Sequence, residues 1–309
     1  MQLFRIIWVC LFVVAGPAGL SAAAVSSSSA EAAHTVAGEE HAHHGLPAAA
    51  VELGRIGPFK ITNSMVLTWA VAIGLIVFAR VATRRVQAVP SGAQNFWEWL
   101  VESLHEFLAG IIGPDLVKKT FWFFATIFIF ILFANWFSLI PGVGTIGWGA
   151  SGKDGFRITE PLLRGTNADL NMTLAMAMIF FACWLVWALQ ANGAGGFILH
   201  LFGPKGDTTG LLKLLMVFVF IVVGLLEVVS ILFRPVSLSF RLYGNIFAGE
   251  NMLESMAHLV PALGWLIPIP FYFLEVLVGL VQALVFMLLT AVFTLLICQH
   301  DEGHEEGHH

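Results

Sequence analysis

Apolar runs close to or longer than the ~20 residues that a helix needs to cross a bilayer recur along this sequence, and they point to a helical membrane protein. The composition agrees: of 309 residues, 58% are hydrophobic and only 11% charged, so a soluble domain would lack the polar surface to cover itself. The formal net charge of −5 comes without a clustered basic face, which argues against a nucleic-acid partner. Cys10, Cys183 and Cys298 lie in or beside apolar segments, form no metal or disulfide spacing, and read as buried small hydrophobes.

The pattern predicts an all-α membrane protein with about five membrane helices and an amphipathic surface helix, the last two membrane helices long and tilted as a hairpin. Residues 1–24, with Arg5, an apolar core and then small residues, read as a secretory signal peptide cleaved after Ala22, Ala23 or Ala24. Residues 25–62 form an extracytoplasmic, partly disordered segment carrying His34, His41, His43 and His44. Membrane helices are expected over 63–83, 119–140, 169–191, 209–258 and 264–299, with Asn63 or Ser64, and Asp169 or Asn171, as amino-terminal caps. An extracytoplasmic loop fills 141–168, and 300–309 is a His-rich acidic tail on the cytoplasmic side. Between the first two spans, residues 94–112 place Phe96, Leu100, Leu104, Phe107, Leu108 and Ile111 at helical spacing among acids, as an amphipathic helix does. Arg80, Arg84 and Arg85 put the far end of the first span in the cytoplasm and the mature amino terminus outside.

The 209–258 stretch is too long for one upright span, since ~50 helical residues reach roughly 75 Å against a hydrocarbon core of ~30 Å. It must tilt strongly or break, with Pro235, Gly244 and Gly249 as weak points.

Within the last two helices, Glu227, Arg234, Arg241, Glu250 and Glu275 interrupt apolar sequence. A central charge costs ~2.5–3.5 kcal/mol on insertion scales, so such residues face a partner or a wet cavity. On an ideal helix Glu227, Ser230, Ser237 and Asn245 fall within about 40° of Arg241, forming one polar stripe. Glu250 points to the opposite side, about 13 Å further along the axis. Glu275 and Gln282 share a face of the last helix, which would set Gln282 near Arg241 and Glu275 near Glu250. An arginine that stays charged suits a barrier, whereas carboxyls can take up and release protons.

The run PVSLSFRLYGNIFAGE, residues 235–250, together with NWFSLIPG and TNADLNMTLAMAM, closely resembles subunit a of the F-type ATP synthases, over roughly residues 60–299. That resemblance implies that Arg241 faces the ion-carrying carboxylates of the rotating c-ring and blocks a leak between two half-channels. It further implies that Glu250 and Glu275 belong to the channel open to the periplasmic side. Glu227 and Ser230 would lie near the cytoplasmic exit, and Asn245 and Gln282 beside the arginine. Where the family often has a histidine at one of the two channel positions, this sequence has glutamates at both. Asn135 stands where some members have an aspartate, and no proton-transfer role is assigned to it. Arg234 reads as a helix-end or lipid-facing charge.

The implied partners are the c-ring, subunit b of the peripheral stalk, membrane lipid and the translocated ion, H⁺ or Na⁺, in a bacterial inner membrane. No Gly-x-x-x-x-Gly-Lys-Ser/Thr run is present, so nucleotide chemistry falls to other subunits and no cofactor or metal is expected. The rival readings are a secondary ion or metal transporter using the histidine-rich ends, and a purely structural membrane scaffold.

Overall fold

The computed structural model describes residues 50–56, 59–140, 143, 146–152, 155–202, 211–259 and 263–298. The expected signal peptide, the histidine-bearing stretch after it and the 300–309 tail lie outside the described residues.

A two-stranded antiparallel hairpin, β1 (Glu52–Ile56) with β2 (Phe59–Thr62), runs straight into α1 (Asn63–Ala82). The residue before the helix is Thr62, which makes no capping bond through its side chain. Asn63 and Ser64 are spent on tertiary contacts instead. Asn63 Nδ2 donates to the Pro161 carbonyl at 3.1 Å, and Ser64 Oγ donates to Asp169 Oδ2 at 2.6 Å.

Helix α2 (Ala93–Ile112) and helix α3 (Pro114–Ser138) are joined by Gly113 alone, at φ 81°. Only glycine takes that left-handed conformation without strain, and Pro114 is pre-set for the first turn that follows. Leu104, Leu108 and Ile112 form the buried seam of α2, which lies against α1, α3 and the last helix. Phe96 and Phe107, counted on the apolar side from their spacing, are exposed, as is Trp99. The seam that the protein itself covers is therefore narrower than the apolar face.

After α3, a second antiparallel hairpin, β3 (Gly147–Gly152) with β4 (Gly155–Pro161), occupies part of the 141–168 segment, which the sequence presents only as a loop. Both hairpins lie in segments between or before the spans, and the apolar runs themselves are helical. The chain then passes through a buried 3₁₀ turn, Thr166–Ala168, into α4 (Leu170–Phe202). Asp169 precedes α4, and its Oδ1 accepts a hydrogen bond from the Asn171 amide at 3.0 Å, as an amino-terminal cap does. Gly193, at φ 68° and ψ 165°, kinks α4.

Helix α5 (Leu211–Leu259) carries 49 residues and continues through Pro235. Of the two outcomes open from the sequence, a break does not occur, and the 49 residues form one continuous helix of about 74 Å. Helix α6 (Pro268–Cys298) packs against it, and their contacts run antiparallel, Arg234 opposite Phe293 and Asn245 opposite Gln282.

Among the described residues, five helical segments are long and apolar enough to cross a membrane: Asn63–Ala82, Pro114–Ser138, Leu170–Gly193, Phe218–Ala257 and Pro268–Cys298. The chain is an all-α, multi-pass membrane protein. Its core lies where α3, α4 and α6 meet, around the fully buried Phe124, Ile131, Phe180, Phe286 and Met287. Trp184 pins α4 to α6 by donating Nε1–H to the Phe293 carbonyl at 3.1 Å.

Candidate ion-translocation site

Helix α5 presents two chemically different sides. On one, Ser230, Ser237, Arg241 and Asn245 are all exposed and Glu227 is half-buried, so the polar stripe expected from helical periodicity forms a continuous feature. Large exposed apolar side chains flank it, among them Leu226, Phe233 and Phe240. Among the described residues no carboxylate forms an ion pair with Arg241. A charge set on an apolar, outward-facing helix side calls for a counter-group from outside the chain.

The other side of α5 faces the protein interior. Glu250 lies there against the loop before α4: a Cβ built on Gly165 would overlap the Glu250 carboxyl and come within 3.1 Å of Ser138 Cβ. Arg164, 4% exposed, donates Nη2–H to the Ala168 carbonyl at 3.1 Å and is near enough to act electrostatically on Glu250. Glu275 reaches in from α6. Its carboxyl occupies the space that any side chain on Gly249 would need, and it too acts electrostatically on Glu250. Glu275 is 6% exposed, and Glu250 Oε1 and Glu275 Oε1 are both buried without a hydrogen-bond partner. A buried acceptor left without a donor is costly, on the order of 1–3 kcal/mol, and signals a site built for a ligand, a water or a proton.

A polar bridge links the two sides. Asn245 Nδ2 donates to Gln282 Oε1 at 2.7 Å, one turn beyond Arg241 on α5 and two turns from Glu275 on α6. Gln282 is buried while Asn245 is exposed, so this bond crosses from the interior to the surface that carries Arg241.

Sequence reasoning left several contributors without a role in the site. Asn135 is 1% exposed; its Nδ2 donates to the Gly279 carbonyl at 3.0 Å, and its Oδ1 accepts from Asn167 Nδ2. Ser138, on the same helix, lies beside Gly165, whose missing side chain leaves room for the Glu250 carboxyl. The signal lay in the polar residues of NWFSLIPG and TNADLNMT, whose convergence needs the tertiary fold. Arg234, expected to be a helix-end or lipid-facing charge, is instead half-buried, with its guanidinium 4.5 Å from the Phe293 ring centroid and 6.0 Å from that of Trp184. Those rings supply a partly desolvated cation–π seat, and Glu227, two turns earlier on α5, is close enough to act on Arg234 electrostatically. No group of three or more His, Cys, Asp or Glu that could hold a metal occurs among the described residues.

The family model described as ATP synthase A chain matches residues 65–294, well over half of the sequence. The chain belongs to the ATP synthase A chain family. It is similar to the ATP synthase subunit a of Gloeobacter violaceus, 32% identical over 266 residues that cover 84% of this chain and 94% of the relative. It is also similar to the subunit a of Citrifermentans bemidjiense, at 34% identity over 75% of this chain and 85% of the relative. The subunit a of Helicobacter pylori matches at 31% identity over 79% of this chain and 92% of its own length. The matched region runs from α1 to near the end of α6, so the polar stripe, the buried glutamates and the Asn245–Gln282 bridge all fall within the part shared with the A chain family. Membership places the protein in the membrane sector of an ATP synthase, in ion transport coupled to ATP synthesis.

Proposed function

We propose that Arg241 is the fixed charge that meets the ion-carrying carboxylates of a c-ring as they pass, and that the chain supplies an access path on each side of it. The carrying observation is the division of α5: Arg241 stands on the exposed face, while Glu250 and Glu275 converge on the opposite, interior side. Glu250 and Glu275 form the path open to the extracytoplasmic side. Asn245 and Gln282 connect its inner end to the arginine, and Glu227, Ser230 and Ser237 line the exit toward the cytoplasm. A guanidinium cannot relay the proton itself, so it forces each arriving carboxylic acid to release its proton and bars direct flow between the paths.

In this reading the protein is the stator subunit that couples H⁺ flow to c-ring rotation, held beside the ring by subunit b of the peripheral stalk in a bacterial inner membrane. The amino terminus is extracytoplasmic and the carboxyl terminus cytoplasmic. The exposed apolar side chains around Arg241 suit lipid and a membrane subunit alike, and the charge that stands among them supports the interface over a purely structural scaffold. The test is ATP-driven proton pumping in inverted membrane vesicles carrying Arg241→Ala. Pumping should disappear while the complex remains assembled, and coupled pumping at the wild-type rate would overturn the proposal.

A further inference from the structure

One more acid belongs to the interior side of α5. Glu254 lies one helical turn beyond Glu250, so the two side chains share a face with Cβ atoms about 5–6 Å apart. The turn between them is regular helix, in which Asn251 Nδ2 donates to the Phe247 carbonyl at 2.7 Å. Glu254 is half-buried, and its Oε2 is shut off from solvent without a hydrogen-bond partner. A purely solvated acid at a helix end would turn both oxygens to water. The same condition recurs at Glu250 Oε1 and at Glu275 Oε1, the latter on a side chain 94% buried by its 6% exposure and directed against Gly249 beside Glu250. Three carboxyls from two helices thus each hold one unpartnered buried oxygen, along a line that runs from the interior toward the Leu259 end of α5.

We infer that Glu254 is the outermost proton-handling residue of the access path, exchanging protons with extracytoplasmic water and passing them to and from Glu250. The inference rests on the path proposed above. In the inward direction a Glu254 carboxylic acid gives its proton to the Glu250 carboxylate, directly or through one water. Glu254 is left as a carboxylate and Glu250 as the acid, and bulk water then reprotonates Glu254. During ATP-driven pumping the same transfers run in reverse. Glu254 and Glu250 are both half-buried, one turn apart, and the buried Glu275 carboxyl lies at Gly249 beside Glu250, so each transfer has an acid neighbour one step away.

The experiment compares Glu254→Gln, Glu254→Asp and Glu250→Gln in the full complex. It measures passive proton flow through the stripped membrane sector and ATP-driven pumping, each normalised to the amount of assembled chain. Glu254→Gln should lower both by at least about five-fold, and Glu254→Asp, which restores the carboxyl, should keep at least about half of each. Wild-type flow in Glu254→Gln beside impaired flow in Glu250→Gln overturns the role of Glu254 alone. Wild-type flow in both variants overturns the access path itself. Should Glu254→Gln fail to assemble, Glu254→Cys treated from the extracytoplasmic side with a membrane-impermeant, carboxyl-bearing methanethiosulfonate takes its place. Flow should rise on modification, and flow unchanged by modification overturns the inference.

Discussion

Asn245 and Gln282 are hydrogen-bonded across the α5–α6 interface at 2.7 Å, and along the chain this bond falls between Arg241 and Glu250 on α5. It places an amide pair, able to donate and accept but not to ionise, between the acids and the fixed cation. Such a pair can hold a water in line without competing for the proton.

Replacing Gln282 by leucine removes the acceptor and puts an apolar group in the same buried volume. Proton pumping should fall about ten-fold, equivalent to roughly 1.4 kcal/mol on the barrier. Chain abundance should stay close to wild type, because leucine keeps most of the buried side-chain volume of Gln282. Measuring initial pumping rates against the amount of chain in the membrane checks both parts, and an unchanged rate would remove the bridge from the path.

Gly249→Ala offers a sharper test of the interior geometry. The added methyl would occupy the position of the Glu275 carboxyl, the movable end of that side chain, so the carboxyl must shift from its place beside Glu250. Pumping should drop by at least ten-fold, whereas Gly74→Ala on α1, where a Cβ meets nothing within 4 Å, should leave it near wild type. Equal rates for the two variants would contradict the placement of Glu275.

Glu250→Gln and Glu275→Gln should not act independently. Each carboxyl lies within the electrostatic field of the other, and residues in one network show non-additive effects. The double variant should be slower than wild type by at least about a hundred-fold, yet closer to the worse single variant than to the product of the two losses. A double-mutant cycle on passive proton conductance measures this, and simple multiplication of the losses would mean two separate sites.

Asn135→Ala is expected to act on stability as well as on flow. Its side chain ties α3 to α6 through Gly279 and to the 3₁₀ turn through Asn167, and the truncation would leave the Asn167 amide buried without its acceptor. The cost is about 1–3 kcal/mol. A lowered midpoint for thermal dissociation of the detergent-solubilised complex, relative to Ser255→Ala on the exposed part of α5, is the expected outcome.

Much of this protein was written in local sequence. Apolar length dictated membrane helices, because a chain of this composition has no other way to bury its surface. Helical periodicity alone set Glu227, Ser230, Ser237, Arg241 and Asn245 on one side of α5 and Glu250 on the other, since 100° per residue holds along any unbroken helix. The motif from Pro235 to Glu250 carried the resemblance to the family. Local pattern did not reveal that Pro235 would leave α5 unbroken, nor that Asn63 and Ser64 would bond to a distant loop rather than cap their own helix.

The tertiary structure decided what could meet. Arg164 and Gly165 come to lie beside Glu250, and Asn135 and Asn167 bond to each other, only because the 3₁₀ turn is buried against α1, α3, α4 and α5. Arg234 found aromatic rings on α4 and α6 in place of lipid or water. The physical reason is range. Helix formation and facing follow from neighbours within a few residues, whereas partners for a buried charge come from separate helices whose register is set by packing along their whole length. Sequence therefore determined which side chains α5 carries on each side, and packing determined which of them are enclosed with partners and which, like Arg241, are left facing outward.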